Sequence, residues 1–126
     1  MSKNIGTLPE EVSSAIKTID VNEAKSLHGK NNIMFLDVRE TEELLKTGKI
    51  KGAIHIPSGF LEFEIENHLQ GSHDSTIIVV CAAGMRSLQA AKVLKDMGIS
   101  NPLNLKGGMN AWIESGYETE KVEAKF

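Results

Sequence analysis

The sequence predicts an α/β domain in which a central, mostly parallel five-stranded sheet is covered by helices on both faces. Two observations support this fold class. Runs of apolar, β-branched residues alternate along the chain with segments of helical periodicity, as they do where helices join parallel strands. The chain has 126 residues, of which 40% are hydrophobic and 25% charged, a size and composition that suit one domain with one core.

The first elements have clear start and stop signals. Pro9 suits the first position of a short helix. Asp20 is a favourable helix cap and Glu23 follows it three residues later, so we expect a second helix, which Gly29 ends. The apolar run at residues 32–38 stops at a charged residue and predicts a strand that is buried on both faces.

The next segments predict a helix, a strand and another helix. Residues 40–50 predict a short helix in which Glu42 and Lys46 pair one turn apart. Residues 52–57 predict a short strand that a proline ends. The apolar residues of the stretch 58–70 fit either a helix or an alternating strand, and we favour the helix.

The second half of the chain repeats the alternation of strand and helix. Residues 75–80 predict a buried strand, and residues 86–98 predict a helix with one apolar face. Residues 101–105 predict a short strand, and residues 107–116 predict the last helix. Three side chains of that helix are expected to face the core: Met109, Trp112 and Ile113.

We divide the chain into a polar, peripheral segment at residues 1–17, one domain at residues 18–117 and a charged tail at residues 118–126. The net charge of −3, with acids and bases interspersed, gives no reason to expect nucleic acid or a membrane as partner. No apolar stretch approaches the ~18 residues of a membrane span, and the N-terminus lacks a signal-peptide core. The single cysteine allows no internal disulfide, so we expect a cytoplasmic protein. The four histidines lack the spacing of a metal site.

The single cysteine, Cys81, follows the most apolar predicted strand, at the sheet edge where parallel sheets bind ligands. We expect the next residues to form an anion-binding loop: Ala82, Ala83, Gly84, Met85, Arg86 and Ser87. Gly84 permits a tight turn, which directs successive N–H groups inward. The helix start and Arg86 add positive charge, and Ser87 could cap the helix or donate to the sulfur. All of these favour thiolate, so we expect a depressed pKa for Cys81.

A lone cysteine at a strand end is most often a small buried apolar residue. The context here favours a reactive thiol instead, because a structural cysteine needs neither a glycine-bearing turn nor an arginine at a helix start. Met85 could shape the mouth of a pocket or turn inward as packing.

The loop resembles the active-site loop of rhodanese-like sulfurtransferases. Three further segments resemble that family in the same order and spacing: residues 36–40 (LDVRE), 48–57 (GKIKGAIHIP) and 105–116 (LKGGMNAWIESG). Together the four pieces cover about residues 18–117. The resemblance implies the rhodanese fold, which agrees with the fold class predicted from the alternation of strands and helices.

The resemblance also implies sulfur transfer. Cys81 would attack the outer sulfur of a donor such as thiosulfate and form a persulfide, which an acceptor thiol or cyanide then discharges. Backbone N–H groups of the loop would stabilise the anionic intermediate, with no metal or organic cofactor. The implied partners are a small sulfur-containing anion or a protein persulfide as donor, and a thiol as acceptor.

Three other functions compete with sulfur transfer. Cysteine-dependent phosphatases also combine a cysteine, a loop and an arginine, but they place one residue more between the two than the four present here, 82–85. A persulfide carrier, or a rhodanese-type interaction module with little thiosulfate activity, is the main alternative. An arsenate reductase would need a resolving thiol, and the chain has no second cysteine.

The family pattern weakens at Glu43, which aligns near a place where two-domain thiosulfate sulfurtransferases have an arginine. Arg86 is then the only cation of the loop, so we expect thiosulfate to be a poor substrate. Asp37 and Arg39, near the end of the strand at 32–38, could support the site by orienting the loop. The alternative, which we favour, is a structural ion pair.

Overall fold

The computed structural model describes residues 15–123, which form a five-stranded sheet and a separate two-stranded one. The strands of this part of the chain are β1 (Lys17–Ile19), β2 (Ile33–Asp37), β3 (Lys49–Ile50), β4 (Ile54–His55), β5 (Thr76–Val80), β6 (Asn101–Leu105) and β7 (Thr119–Glu120). Its α-helices are α1 (Val21–Leu27), α2 (Thr41–Thr47), α3 (Leu61–Leu69), α4 (Met85–Asp96) and α5 (Gly108–Glu114). A 3₁₀ turn, Ser58–Phe60, precedes α3. No helix within 15–123 has the length and apolarity to cross a membrane.

The main sheet has the strand order β1-β6-β5-β2-β4, and every pairing in it is parallel. This confirms the predicted fold class. The central strand β5 pairs with β2 over five residues, from Ile33 opposite Thr76 to Asp37 opposite Val80. Because parallel strands end at the same edge of the sheet, Cys81 lies beside the residues that follow β2.

The core has two halves, one on each face of the sheet. Ile77 and Val79 of β5 pack on one face in an apolar cluster that includes residues of α3 and α4. Ile78 and Val80 pack on the other face in a cluster that includes residues of α1 and α5. Alternate side chains of one strand therefore enter different clusters, as expected for a parallel strand covered by helices on both faces.

Local sequence signals explain how the helices begin and which face they bury. The carboxylate of Asp20 accepts a hydrogen bond from the backbone N–H of Glu23 at 2.8 Å, so the predicted cap of α1 forms. The ambiguous stretch 58–70 is helical, because Leu61, Ile65 and Leu69 recur every four residues and are all buried.

Two side-chain predictions were wrong. Ile113 does not face the core, since 43% of it is exposed. The buried stripe of α5 consists of Met109 and Trp112, and the residue after Trp112 is rotated away from that stripe by the helical period. The ion pair expected between Glu42 and Lys46 is not among those formed within the described residues.

The segments outside residues 18–117 contribute to the fold where they are described. Ile16 is buried in the cluster that contains residues of α3 and α4, and β1 begins at Lys17. The charged tail supplies β7, which pairs antiparallel with β3 and whose Glu120 carboxylate binds the Lys49 ammonium. Gly48 permits this approach, because a Cβ there would lie 2.5 Å from the backbone oxygen of Glu120. The helix predicted at Pro9 lies outside the described residues.

Candidate active site

The loop after β5 turns directly into α4, as the sequence predicts. Gly84 is the residue before α4 and has φ +107°, a conformation that side-chain-bearing residues rarely adopt. The backbone N–H groups of Met109 and Asn110 donate to the carbonyl oxygens of Cys81 (2.8 Å) and Ala82 (3.1 Å). The start of α5 therefore holds the cysteine end of the loop in place.

The glycine pair at 107–108 makes this contact possible. Gly108 has φ +56°, and a Cβ on it would lie 2.3 Å from the carbonyl oxygen of Cys81. That distance is far below van der Waals contact, so only glycine lets α5 approach the loop this closely. The glycine pair of the last family-like segment thus has a physical role in supporting the loop.

The sulfur of Cys81 lies in a buried cradle of hydrogen-bonding groups. Only 1% of Cys81 is exposed. The backbone N–H of Gly84 donates to Sγ at 3.0 Å, and the Ser87 hydroxyl lies 3.3 Å from it. Burial by itself raises the pKa of Cys81, but the hydrogen bond with the Ser87 side chain and those with the backbone N–H groups of Ser87, Gly84 and Ala83 outweigh the effect of burial. The net effect is a pKa below the ordinary value, which increases the thiolate fraction at neutral pH.

The Arg86 side chain binds a carboxylate on α2. Its guanidinium donates two hydrogen bonds to the carboxylate of Glu43 on α2, one to each oxygen and both at 2.8 Å. The Arg86 hydrogen bond lowers the pKa of Glu43 to about 2, and the same bond raises the pKa of Arg86. The loop's single cation is therefore neutralised by a carboxylate, and the main causes of the lowered Cys81 pKa are hydrogen bonds.

Asp37 and Arg39 form a buried ion pair in which every side-chain nitrogen and oxygen has a hydrogen-bond partner. The Arg39 guanidinium donates to both carboxylate oxygens of Asp37, to the Thr47 hydroxyl at 2.8 Å and to the Gly48 carbonyl at 2.8 Å. His55 bonds the Arg39 carbonyl oxygen at 2.7 Å through Nε2. These bonds tie the end of β2 to the end of α2 and to β4, which supports the structural interpretation of the pair.

Two contacts at the site escaped sequence reasoning. The first is the Glu43–Arg86 pair: the sequence shows an acid at position 43 but does not show that it binds Arg86. The second is Asn104 of β6, whose Oδ1 accepts a hydrogen bond from the Ser87 hydroxyl at 2.5 Å. The available signal for Asn104 was a polar residue between the two leucines of the strand NPLNL.

The other loop residues define an opening to solvent. Ala83 is exposed, Met85 is 39% exposed, and Ala82 is half-buried. A depression with a volume of about 130 Å³ lies beside Arg86 and is also lined by Ser58, Leu61 and Gln89. No cluster of three or more His, Cys, Asp or Glu side chains within 15–123 could hold a metal ion.

Comparison with known proteins agrees with this geometry. Residues 20–115 match the model of the rhodanese-like domain. The chain is 28% identical to the mouse (Mus musculus) "Thiosulfate sulfurtransferase/rhodanese-like domain-containing protein 3", over 97% of the chain and 84% of that protein. It is 34% identical to the Bacillus subtilis "Putative sulfur carrier protein YrkF", over 88% of the chain but 54% of that protein's length.

A solved structure is similar over nearly the whole chain. It is a Rhodopseudomonas palustris protein of unknown function, described as a "Possible Tyrosine Phosphatase". The TM-score is 0.82 and the sequence identity 30%, with 95% of this chain and 99% of the other covered.

Proposed function

The chain belongs to the rhodanese-like family, and from this premise we propose that it is a sulfurtransferase that carries sulfane sulfur as a persulfide on Cys81. The observation that supports the proposal most directly is the polar cradle around Sγ, to which the Gly84 N–H donates at 3.0 Å and beside which the Ser87 hydroxyl lies at 3.3 Å. A cradle that favours a negative charge at Sγ lowers the cost of both the attacking thiolate and the persulfide anion.

The proposed reaction has two steps. In the first, the Cys81 thiolate attacks the outer sulfur of the donor, the new S–S bond forms, and the donor leaves with the electron pair of its own sulfur bond. Thiosulfate would leave as sulfite, and a persulfide donor would leave as a thiolate. In the second step, a thiolate or cyanide attacks the outer sulfur of the Cys81 persulfide and regenerates the thiolate.

A second candidate function, a persulfide carrier that discriminates against thiosulfate, is favoured by the Glu43–Arg86 pair. Thiosulfate is a dianion, and its sulfonate group needs positive charge at the mouth of the loop. Here the loop's cation already binds a carboxylate through two hydrogen bonds of 2.8 Å. A persulfide on a small thiol or a protein brings less charge, so it would meet less repulsion from Glu43.

The same pair and the loop length weigh against phosphoryl transfer. A phosphate dianion would need the guanidinium of Arg86, which Glu43 occupies. The four residues between Cys81 and Arg86 form a turn whose Gly84 N–H bonds the sulfur itself. The likeness to the protein described as a possible tyrosine phosphatase is thus one of fold, and sulfur chemistry fits the loop better.

The test is an intact-mass spectrum recorded under non-reducing conditions after incubation with thiosulfate, with the Cys81→Ser variant as the matched control. We expect the wild type alone to gain one sulfur atom, and cyanide to remove it with release of thiocyanate. If thiosulfate adds nothing, a cysteine desulfurase with cysteine replaces it as donor, and gain from this donor alone identifies a persulfide carrier. No gain from either donor, or sulfur transfer by Cys81→Ser, contradicts the proposal.

A further inference from the structure

Asn104 is a buried polar residue that the proposed sulfur transfer leaves without a role. It lies in β6 between Leu103 and Leu105, and only 4% of it is exposed. Its side-chain Oδ1 accepts the hydrogen bond from Ser87, and its Nδ2 lies 3.4 Å from the hydroxyl oxygen of Thr18, to which it donates. A buried amide is costly unless both ends are bonded, so these partners account for its stability in the core.

The bond from Ser87 to Asn104 determines where the serine proton points. A hydroxyl has one proton to donate. While Ser87 donates it to Oδ1 of Asn104, its oxygen can only accept from Cys81, whose Sγ lies 3.3 Å away. This arrangement fits a neutral thiol, because a thiolate has no proton to donate and needs one from Ser87.

A half-turn of the Asn104 amide gives the opposite arrangement. Nδ2 then donates to the oxygen of Ser87, and the serine proton is free to point at the sulfur. Oδ1 then faces Thr18, whose hydroxyl can donate to it. Both arrangements satisfy every polar group of the network, one with Cys81 as thiol and the other with it as thiolate.

We propose that Asn104 is a positioning residue that directs the Ser87 hydroxyl towards or away from the Cys81 sulfur according to the charge on that sulfur. The reaction step it would assist rests on the proposed sulfur transfer, but the network can be measured without any sulfur donor.

The charged groups near Cys81 are paired with one another. Asp37 and Arg39, at the end of β2, bind each other, and Glu43 on α2 binds Arg86 on α4. Strand β6 itself has no charged residue, and the Lys106 that follows it is exposed. The response of the sulfur to changes at position 104 is therefore carried mainly by the neutral network.

The experiment is the pH dependence of alkylation of Cys81 by iodoacetamide, which reacts with the thiolate. In Asn104→Asp both oxygens at position 104 are acceptors, so the Ser87 proton stays directed away from the sulfur. The midpoint of alkylation should therefore rise by about one pH unit, and the alkylation rate at low pH should fall about tenfold. Asn104→Leu offers no acceptor, so the serine proton turns to the sulfur and the midpoint should fall. General damage to the fold would not move the midpoint in opposite directions.

Two controls test whether the shifts depend on position 104 and on Ser87. Asn101→Asp makes the same chemical change at an exposed position of the same strand and should leave the midpoint unchanged. In a Ser87→Ala background, Asn104→Leu should no longer shift the alkylation midpoint. Asn104→Asp should shift it only by the amount that the negative charge of the aspartate causes. Equal shifts with and without Ser87, or shifts of one sign for both variants, would overturn the role of Asn104. If circular dichroism shows that Asn104→Asp does not fold, the test is the alkylation midpoint of Asn104→Leu, measured with Ser87 present and in the Ser87→Ala background.

Discussion

The Cys81 sulfur is bordered by two regions of different character. The inner wall, formed by Gly84, Ser87 and Asn104, is buried and neutral; Gly84 and Ser87 are hydrogen-bonded to the sulfur, and Asn104 is hydrogen-bonded to Ser87. The outer rim, formed by Glu43 and Arg86, is charged, with side chains 33% and 41% exposed. For the proposed sulfur transfer, we expect the wall to stabilise the sulfur anion and the rim to determine the charge that an approaching donor meets.

The largest effect is expected at Gly108, which lies at the start of α5 against the backbone of Cys81 and Ala82. In Gly108→Ala the new Cβ would lie 2.3 Å from the Cys81 carbonyl oxygen at a backbone φ of +56°, so the loop must move. We expect a destabilisation of about 2–4 kcal/mol and a loss of sulfur transfer of about a hundredfold. Urea unfolding and single-turnover persulfide formation measure the two effects.

Gly116→Ala is the matched control for that variant. Gly116 also has a positive φ, +76°, but an added Cβ would meet nothing within 4 Å. Gly116→Ala should therefore lower the free energy of unfolding through its backbone conformation alone and leave the rate of sulfur transfer unchanged. Equal activity losses in the two variants would mean that the approach of α5 does not hold the loop.

The next effect concerns Ser87, the inner-wall group whose side chain does most to lower the pKa of Cys81. Ser87→Ala removes that hydrogen bond, so the pKa should rise by about one unit, and the rate of alkylation below the pKa should fall about tenfold. The variant should regain the wild-type rate at high pH, where both thiols are ionised. An unchanged pH profile would show that the backbone N–H groups suffice.

The inner wall could be predicted from the sequence much further than the outer rim. Strand, tight turn and helix start are local signals, so the part of the wall formed by Gly84 and Ser87 followed from residues 75–98 alone, whereas Asn104 lies outside that segment and was missed. The partner of Arg86 could not be predicted in this way, because Glu43 is 43 positions away and only the fold brings α2 beside α4. Strand β7 was missed for a similar reason, since two residues of a charged segment carry no apolar pattern and pair only through β3.

A smaller effect is expected from Glu43→Gln at the rim. Glutamine keeps the shape and can still accept from Arg86, but the negative charge is gone, so the guanidinium can attract an anionic donor. We expect kcat/KM for thiosulfate to rise about fivefold, with a smaller change for a persulfide donor, which brings less negative charge. Glu42→Gln, an exposed neighbour on α2, is the control and should change neither value. Equal gains with both donors would assign Glu43 a role other than charge selection.

The smallest effect is the contribution of the rim to stability. Because binding to Arg86 lowers the pKa of Glu43 from 4.5 to about 2, the pair stabilises the folded state above pH 4.5 and loses that contribution as the pH falls towards 2. Both side chains are partly solvated, so solvent screening reduces the contribution to about 0.5–1 kcal/mol. The free energies of unfolding of wild type and Glu43→Gln should therefore differ at neutral pH and converge in acid. A difference independent of pH would show that glutamine acts on the cap of α2, where Glu43 also accepts from the Glu40 backbone, and that the charge of the rim serves donor selection alone.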